Sequence, residues 1–224
     1  MTKQSQHKTK RPGKSSPRPG KPGGVRDINR QQKALAIREA ALRLFLKRGI
    51  EGVPVDDIMV AARMAKGSFY RYFDDQTALV AALIEDARVL ITEGLKACSV
   101  ALEGADTTEA QFAAYRKVGD VVATLVMQHP GEIRLYLQES RAPDVGARKP
   151  IIALSRVVSK YAIEMTKKAQ QHGILRPIPV EVSALTVVGA AERLLLAVLH
   201  EETVGNPLEI PAALTTLILD GLKA

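Results

Sequence analysis

From residue 37 onwards, apolar positions in this chain recur every three to four residues, the period of helices with one buried face. Ile37, Ala40, Ala41, Leu44 and Phe45 stand at i, i+3, i+4, i+7 and i+8. Gly49 is placed to stop that helix at C′, and Asn29, with Gln32 three residues on, to cap its start. A short helix follows from about Val55 to Ala62, then a three-residue turn, then a second short helix from Lys66 to Phe73. Asp74 or Asp75 supplies cap chemistry for a fourth helix, which runs through Leu79, Ala82, Leu83, Ala87, Leu90 and Ile91 towards Ser99. The pattern continues to the end. Asp106-Thr107-Thr108-Glu109 reads as a capping box opening a helix to about Gln128. Pro130 permits a new start for Glu132 to Ser140, and Pro150 suits the first turn of a helix ending before Gly173. After the Pro177 to Pro179 break, Val180 to His200 is strongly apolar, and Asn206-Pro207-Leu208-Glu209 opens a last helix ending near Gly221. There is no alternating strand pattern of useful length and no internal repeat, so the predicted fold is all-α.

Charge alters this picture at one end only. The net charge is +8, yet residues 1–33 hold ten Lys or Arg against one acid, Asp27, while the remainder holds 22 bases and 23 acids. The basic excess therefore belongs to a tail rich in Pro, Gly, Ser and Lys, which cannot bury enough apolar surface to order itself. A solubilising terminus and a DNA-gripping arm both fit that composition. Its position directly before the aromatic helix below favours the arm, with Arg26 and Arg30 placed to enter an adjacent minor groove.

At 224 residues and 46% hydrophobic content the chain can bury a real core. No apolar run approaches the ~18 residues of a membrane span, and none follows the basic terminus as a signal peptide requires, so a cytoplasmic protein is expected. Cys98 stands alone, and His7, His129, His172 and His200 show no helical metal-site pairing. Neither a metal nor another cofactor is expected. No Gly-rich phosphate loop follows a strand, and no G-x-S-x-G is present, so an enzyme is not expected.

The stretch with most chemical content is Lys66-Gly67-Ser68-Phe69-Tyr70-Arg71-Tyr72-Phe73, in a chain with only five Tyr and four Phe. Phe69 and Phe73 sit four apart and share one face, which anchors the helix in a core. Lys66, Tyr70 and Arg71 project elsewhere as donors and positive charge, and Gly67 removes a side chain that would hold a partner at a distance. That is the form of a helix pressed into a nucleic-acid groove. Two short helices joined by a tight turn and packed on a longer first helix describe a helix-turn-helix.

The order Gly49, Val55-Asp56-Asp57-Ile58, Ala62, Gly67, Tyr70, Phe73 and Leu79 resembles the N-terminal domain of the TetR family of bacterial transcriptional regulators, with Gly-x-x-Tyr-x-x-Phe the most distinctive part. The motif covers about residues 30–84. The resemblance implies a homodimer that binds a palindromic operator in double-stranded DNA, with no membrane, through an N-terminal head. A C-terminal helical bundle would hold a ligand cavity and the dimer interface. The expected divisions are a disordered basic tail (1–28), the helix-turn-helix head (29–75) and the ligand-binding and dimerisation body (76–224). Carried over by residue, Lys66, Ser68 and Tyr70 match positions that meet DNA and Tyr72 a phosphate contact, with Gly67, Arg71 and Val55 beside them. Phe69 and Phe73 match core positions, with Phe45 and Ile58 packed against them. The chain departs from the family pattern where Pro54 replaces the capping Thr, Met59 a small residue, Arg63 the turn glycine, Ala65 a Ser and Gln76 a Lys.

By the same resemblance Tyr115, Met127, Tyr136, Tyr161, Met165 and Glu192 are candidates to line an effector site, the effector being apolar or amphipathic because few charges fall in the presumed cavity helices. Plain core is the competing account of the apolar ones, and a rim or interface ion pair that of Glu192 with Arg193. Two other functional classes remain: a DNA binder with no small ligand, and an all-helical enzyme or carrier whose head is a packing module. Salt-sensitive, sequence-specific DNA binding separates the last from the others.

Overall fold

A computed structural model describes residues 24–105, 107–206 and 209–222. Among these residues there are eight α-helices, two short 3-10 segments and no strand. The tail expected over residues 1–28 lies outside the described residues as far as residue 23, as do Asp106, Pro207 and Leu208.

Helix α1 (Val25–Arg48) begins behind Gly24, four residues before the expected cap Asn29, so residues 25–28 belong to the helix and not to the tail. Asp27 in the first turn complements the helix dipole, and no breaker lies between Val25 and Asn29. Gly49, at φ +73°, ends α1, its amide bonded to Phe45 O. Helix α2 (Val55–Ala61) starts after Pro54 with no side-chain cap, and Asp56 and Asp57 fill its first turn. A 3-10 helix, Lys66–Arg71, takes the place of the expected second short α-helix. Helix α3 (Gln76–Glu103) is capped by Asp75, which accepts a hydrogen bond from Ala78 N at 2.7 Å.

In the body, α4 (Thr108–Gln128) is capped by Thr107, which accepts from Ala110 N at 3.2 Å. The cap thus falls one residue later than the expected box, and with Ala110 at N3 no side chain reaches back to complete a box. Helices α5 (Pro130–Glu139) and α6 (Lys149–Gln171) each carry proline in the first turn, where its missing N–H costs nothing. Helices α7 (Val180–Leu199) and α8 (Ile210–Leu222) complete the chain. Helix α7 corrects one expectation: with mean hydropathy 1.8 it is long and apolar enough to cross a membrane, although only 17% of that window is buried. Scattered polar residues, among them Glu192 and Arg193, hide this run from inspection for unbroken apolar stretches.

The main core does not stop at the expected head boundary. Ile37, Phe45, Ile58, Phe69 and Phe73 from the head share one cluster with Leu79 of α3 and with Leu135, Tyr136, Ile151 and Leu154 from α5 and α6. Gly131 of α5 admits Leu42 of α1 so closely that a Cβ would meet Leu42 Cδ2 at 2.8 Å. A second cluster, Leu95, Cys98, Leu102, Ala114 and Met165, joins α3, α4 and α6 farther along α3.

Candidate nucleic-acid interface

The turn between α2 and the 3-10 helix is built from backbone bonds. Met64 N donates to Met59 O at 2.9 Å and Arg63 N to Val60 O at 3.0 Å, the paired 6→1 and 5→2 bonds of a Schellman close. That motif needs a left-handed residue, and Arg63 supplies it at φ +57°. A non-glycine there costs on the order of 1 kcal/mol. The large neighbours Met59, fully buried, and Met64, packed on the core, hold the turn in place.

The 3-10 helix has an inner and an outer side. Phe69 is fully buried and Phe73 nearly so, their ring centroids 5.8 Å apart, and Phe45 and Ile58 lie in the same cluster. On the outer side Tyr70 is 69% exposed and rests edge-on against Phe69, centroids 5.4 Å apart at 87°. In 3-10 geometry residues three apart eclipse, so Tyr70 stands over Gly67. A Cβ added to Gly67 would meet nothing within 4 Å, and Gly67 does not hold a positive φ. Nothing in the chain's own packing requires glycine there, and its value lies in what approaches from outside. Arg71 is exposed beside it.

Two acids of α2 organise the cations around this surface. Lys66 Nζ sits 3.0 Å from Asp56 Oδ2, and Arg48 bonds both Asp57 Oδ2 and Gly52 O at 2.8 Å. Both pairs are exposed and worth no more than about 1 kcal/mol each, so the pair leaves Lys66 available to a competing anion. Gln76 does what no sequence signal announced: its amide donates to Ile50 O at 3.1 Å and Val53 O at 3.0 Å, fixing the loop between α1 and α2.

The structure leaves Lys66, Gly67, Tyr70 and Arg71 exposed together along the 3-10 helix, and it places the other five expected contacts in different settings. Ser68 is 5% exposed and its hydroxyl donates to Ala65 O at 2.7 Å, so it closes the start of the 3-10 helix and offers no outward donor. Tyr72 and Val55 are half-buried and packed on the core. Arg26 and Arg30 stand on α1, exposed, with Lys33 continuing their face at i+7, so they belong to a rigid basic stripe and not to a loose arm. Lys33 was not singled out by sequence, because its helical phase became visible only once α1 was seen to begin at Val25.

The six candidate effector residues fall in three places. Tyr115, Tyr161 and Met165 meet in the second cluster, where burial and then the nearby Cys98 push the Tyr115 phenol well above its ordinary range. Tyr136 and Glu192 meet elsewhere: Tyr136 Oη donates to Glu192 Oε1 at 2.8 Å, and Arg141 bonds Glu192 Oε2 at 3.0 Å. Burial first, then Glu192, raises the Tyr136 phenol, opposed by a hydrogen bond with Ser155 and by the Arg141 charge. Met127, expected beside them, is 83% exposed near the end of α4 and stands apart from both groups. Helical spacing alone did not distinguish the outer from the inner face of α4. Two hollows of about 440 and 410 Å³ are open surface grooves, one along α6 at Ser155, Ser159 and Ile163, the other on α3 at Ala97 and Val100. Among the described residues no group of three His, Cys, Asp or Glu converges to hold a metal ion.

Known proteins match this chain first through its head. Residues 37–83 match the family of bacterial regulatory proteins of the tetR type. The transcriptional regulator AcuR of Cereibacter sphaeroides is 44% identical over 69 residues, which span 31% of each chain. The match therefore covers about a third of that regulator's length. The wider likeness is one of fold. The regulator FadR from Bacillus subtilis, solved with stearoyl-CoA, is 15% identical with a TM-score of 0.62, covering 84% of this chain and 98% of that one. AibR, solved with isovaleryl coenzyme A and operator DNA, is 21% identical with a TM-score of 0.55, covering 84% and 98%. Residues 37–83 thus carry a head of the tetR type, and the body beyond them shares its fold with solved regulators.

Proposed function

We propose that this protein is a homodimeric DNA-binding regulator that reads a palindromic operator through Lys66, Gly67, Tyr70 and Arg71 and represses until a small ligand releases it. One observation carries the reading: the 3-10 helix is anchored inward by Phe69 and Phe73 while Tyr70 and Gly67 stand in open space. A two-fold dimer presents two such ridges, so half-sites are related by inversion. The outer face of α7 and α8 supports the dimer. Val182, Leu185 and Leu217 are exposed there, and a Cβ on Gly189 meets nothing within the chain. A membrane span is disfavoured for α7 because Glu192 is tied inward to Tyr136 and Arg141. The protein would act in the bacterial cytoplasm, without catalysis, as a binder of DNA and effector. The tail of residues 1–28 and the basic stripe of α1 add phosphate contacts, and the head (29–75) and body (76–224) divide reading from sensing.

FadR and AibR were solved with acyl-CoA molecules, which makes acyl thioesters of coenzyme A the first ligand class to test, consistent with an amphipathic effector. The open character of both hollows favours a second reading, DNA binding without a ligand. The test is selection of duplexes from a random pool with the full chain, followed by titration of stearoyl-CoA and isovaleryl-CoA. Recovery of an inverted repeat whose binding either thioester weakens supports the proposal. An inverted repeat that neither compound affects, with no rise in melting temperature, favours the ligand-free reading. Recovery of no preferred sequence overturns both.

A further inference from the structure

The C-terminal end of α5 is bonded in two directions at once. Towards α7, Tyr136 Oη and the Arg141 guanidinium both donate to the Glu192 carboxylate, at 2.8 and 3.0 Å. Towards the head, Gln138 Nε2 donates to Phe45 O at 3.3 Å, and Glu139 Oε1 accepts from Ile50 N at 3.2 Å and from Gln138 at 3.3 Å. The second Glu139 oxygen is held by Arg148 Nε at 3.1 Å, with the two side chains 5% and 14% exposed. The head reaches back, since Glu51 Oε1 accepts from Ala147 N at 2.9 Å.

The fit around these bonds is close. Gly49, at φ +73°, would bring a Cβ to 3.2 Å from Glu139 Oε1, and Gly146, at φ +57°, would bring one to 2.4 Å from Glu51 Oε1. The loop at residues 49–53 is thus gripped by α5 on one side and by the 3-10 segment Gly146–Arg148, just before α6, on the other. Its carbonyls at Ile50 and Val53 are bonded by Gln76, and it leads directly into α2. A displacement of α5 cannot leave this loop in place without stranding a buried carboxylate, a guanidinium and an amide, and that cost makes the linkage stiff.

We propose that residues 136–141, the last turn of α5 and the two residues after it, transmit the state of Glu192 on α7 to the DNA-reading head, with Glu192 and Glu139 as positioning residues at the two ends. Any ligand or subunit contact that takes Tyr136 or Arg141 from Glu192 shifts α5, loosens the Glu139–Ile50 bond and moves α2 with the recognition ridge. The inference rests on the DNA-binding reading for its consequence, and its mechanical part stands apart from that reading.

Hydrogen exchange on the full chain tests it, because the Ile50 and Ala147 amides report the clasp directly. Glu192→Gln and Tyr136→Phe alter a carboxylate and a hydroxyl whose hydrogen bonds reach no head residue, while the Tyr136 ring keeps its packing on the core. They are expected to speed exchange at Ile50 and Ala147 by about fivefold or more, while amides in the α3 core such as Leu83 keep their protection. Affinity for a duplex selected by the wild-type protein should fall by a similar factor, and affinity for random duplex should not change. Adding Glu139→Gln to Tyr136→Phe should bring little further loss, since both act on one linkage. Unchanged exchange at Ile50 in both single variants overturns the proposal, as does a uniform rise across the α3 core, which would mean general loosening. If the wild-type chain selects no duplex, the DNA-binding reading fails while the exchange measurement still decides the linkage.

Discussion

Lys66 is the residue at which stability and recognition separate most cleanly. Its exposed pair with Asp56 contributes little to folding, whereas a lysine reading a guanine edge in the major groove is worth ~1–3 kcal/mol of discrimination. Lys66→Ala should therefore weaken operator binding by about that amount and leave the urea midpoint nearly unmoved. Competition between the selected operator and random duplex checks the first half, and equal loss on both DNAs would demote Lys66 to a phosphate contact. Cys98 gives a prediction of a different kind. Burial pushes its thiol from 9.0 up to about 11, against a smaller opposing effect of Lys117. A group whose pKa is higher in the folded state adds stability that is fully present below the unfolded value and is lost as pH rises through the folded one. Urea midpoints should therefore decline between pH 9 and 11, and Cys98→Ala should flatten part of that decline. Tyr115 and Tyr136, also raised, keep the remainder in place. At pH 8 the buried thiol should resist aromatic disulfide reagents until the protein unfolds.

Among the elements, α1 is the one whose role changes most when it is seen whole. Its first turns are exposed, with Arg26, Arg30 and Lys33 on one helical face, a basic edge that follows directly in sequence on the seven Lys and Arg of residues 2–23. Each phosphate neutralised adds about −0.9 to the slope of log K against log salt on duplex DNA. Replacing Arg26, Arg30 and Lys33 with Ala should lower affinity for operator and random DNA alike and flatten that slope. Removing residues 2–23 should do the same without loss of helicity or dimerisation, since α1 starts after the cut. Titrations at several salt concentrations would show parallel lines for all these proteins if the basic segment only aids solubility.

For the whole molecule, the decisive property is an apolar surface the chain does not cover. Helix α7 has mean hydropathy 1.8 with 17% of that window buried, and Leu185 and Val182 face outward from it. Monomeric soluble proteins rarely leave so much apolar helix exposed, and the open space at Gly189 permits a second backbone to approach closely. Gly189→Glu and Leu185→Glu should each yield monomers by light scattering at micromolar concentration, with helical content retained. The monomers should also lose operator affinity steeply, because one recognition ridge reads half a palindrome. A wild-type chain that is already monomeric would remove the dimer from the proposal.

Local signals in the amino-acid order were enough for the helices themselves: the stripe from Ile37 to Phe45, the caps around Asp75 and Thr107, and the prolines at 130 and 150 act through neighbours within one or two turns, and periodicity records such interactions directly. The Lys66–Phe73 chemistry was legible for the same reason, since an inner aromatic face and an outer donor face are properties of one short segment. What folding in three dimensions added involves partners far apart in the chain. Ser68 turned inward because the 3-10 start offers it Ala65 O, and Met127 turned outward because α4 presents its other face to α3. The extension of α1 to Val25 depended on the weak choice between two helix starts, which propensity alone decides poorly. Above all, the clasp of Glu139 on Ile50, 89 residues away, and of Glu51 on Ala147, 96 residues away, has no trace in either local sequence. A buried carboxylate is chosen by the amide and guanidinium that surround it, and only the packed helices bring those groups together.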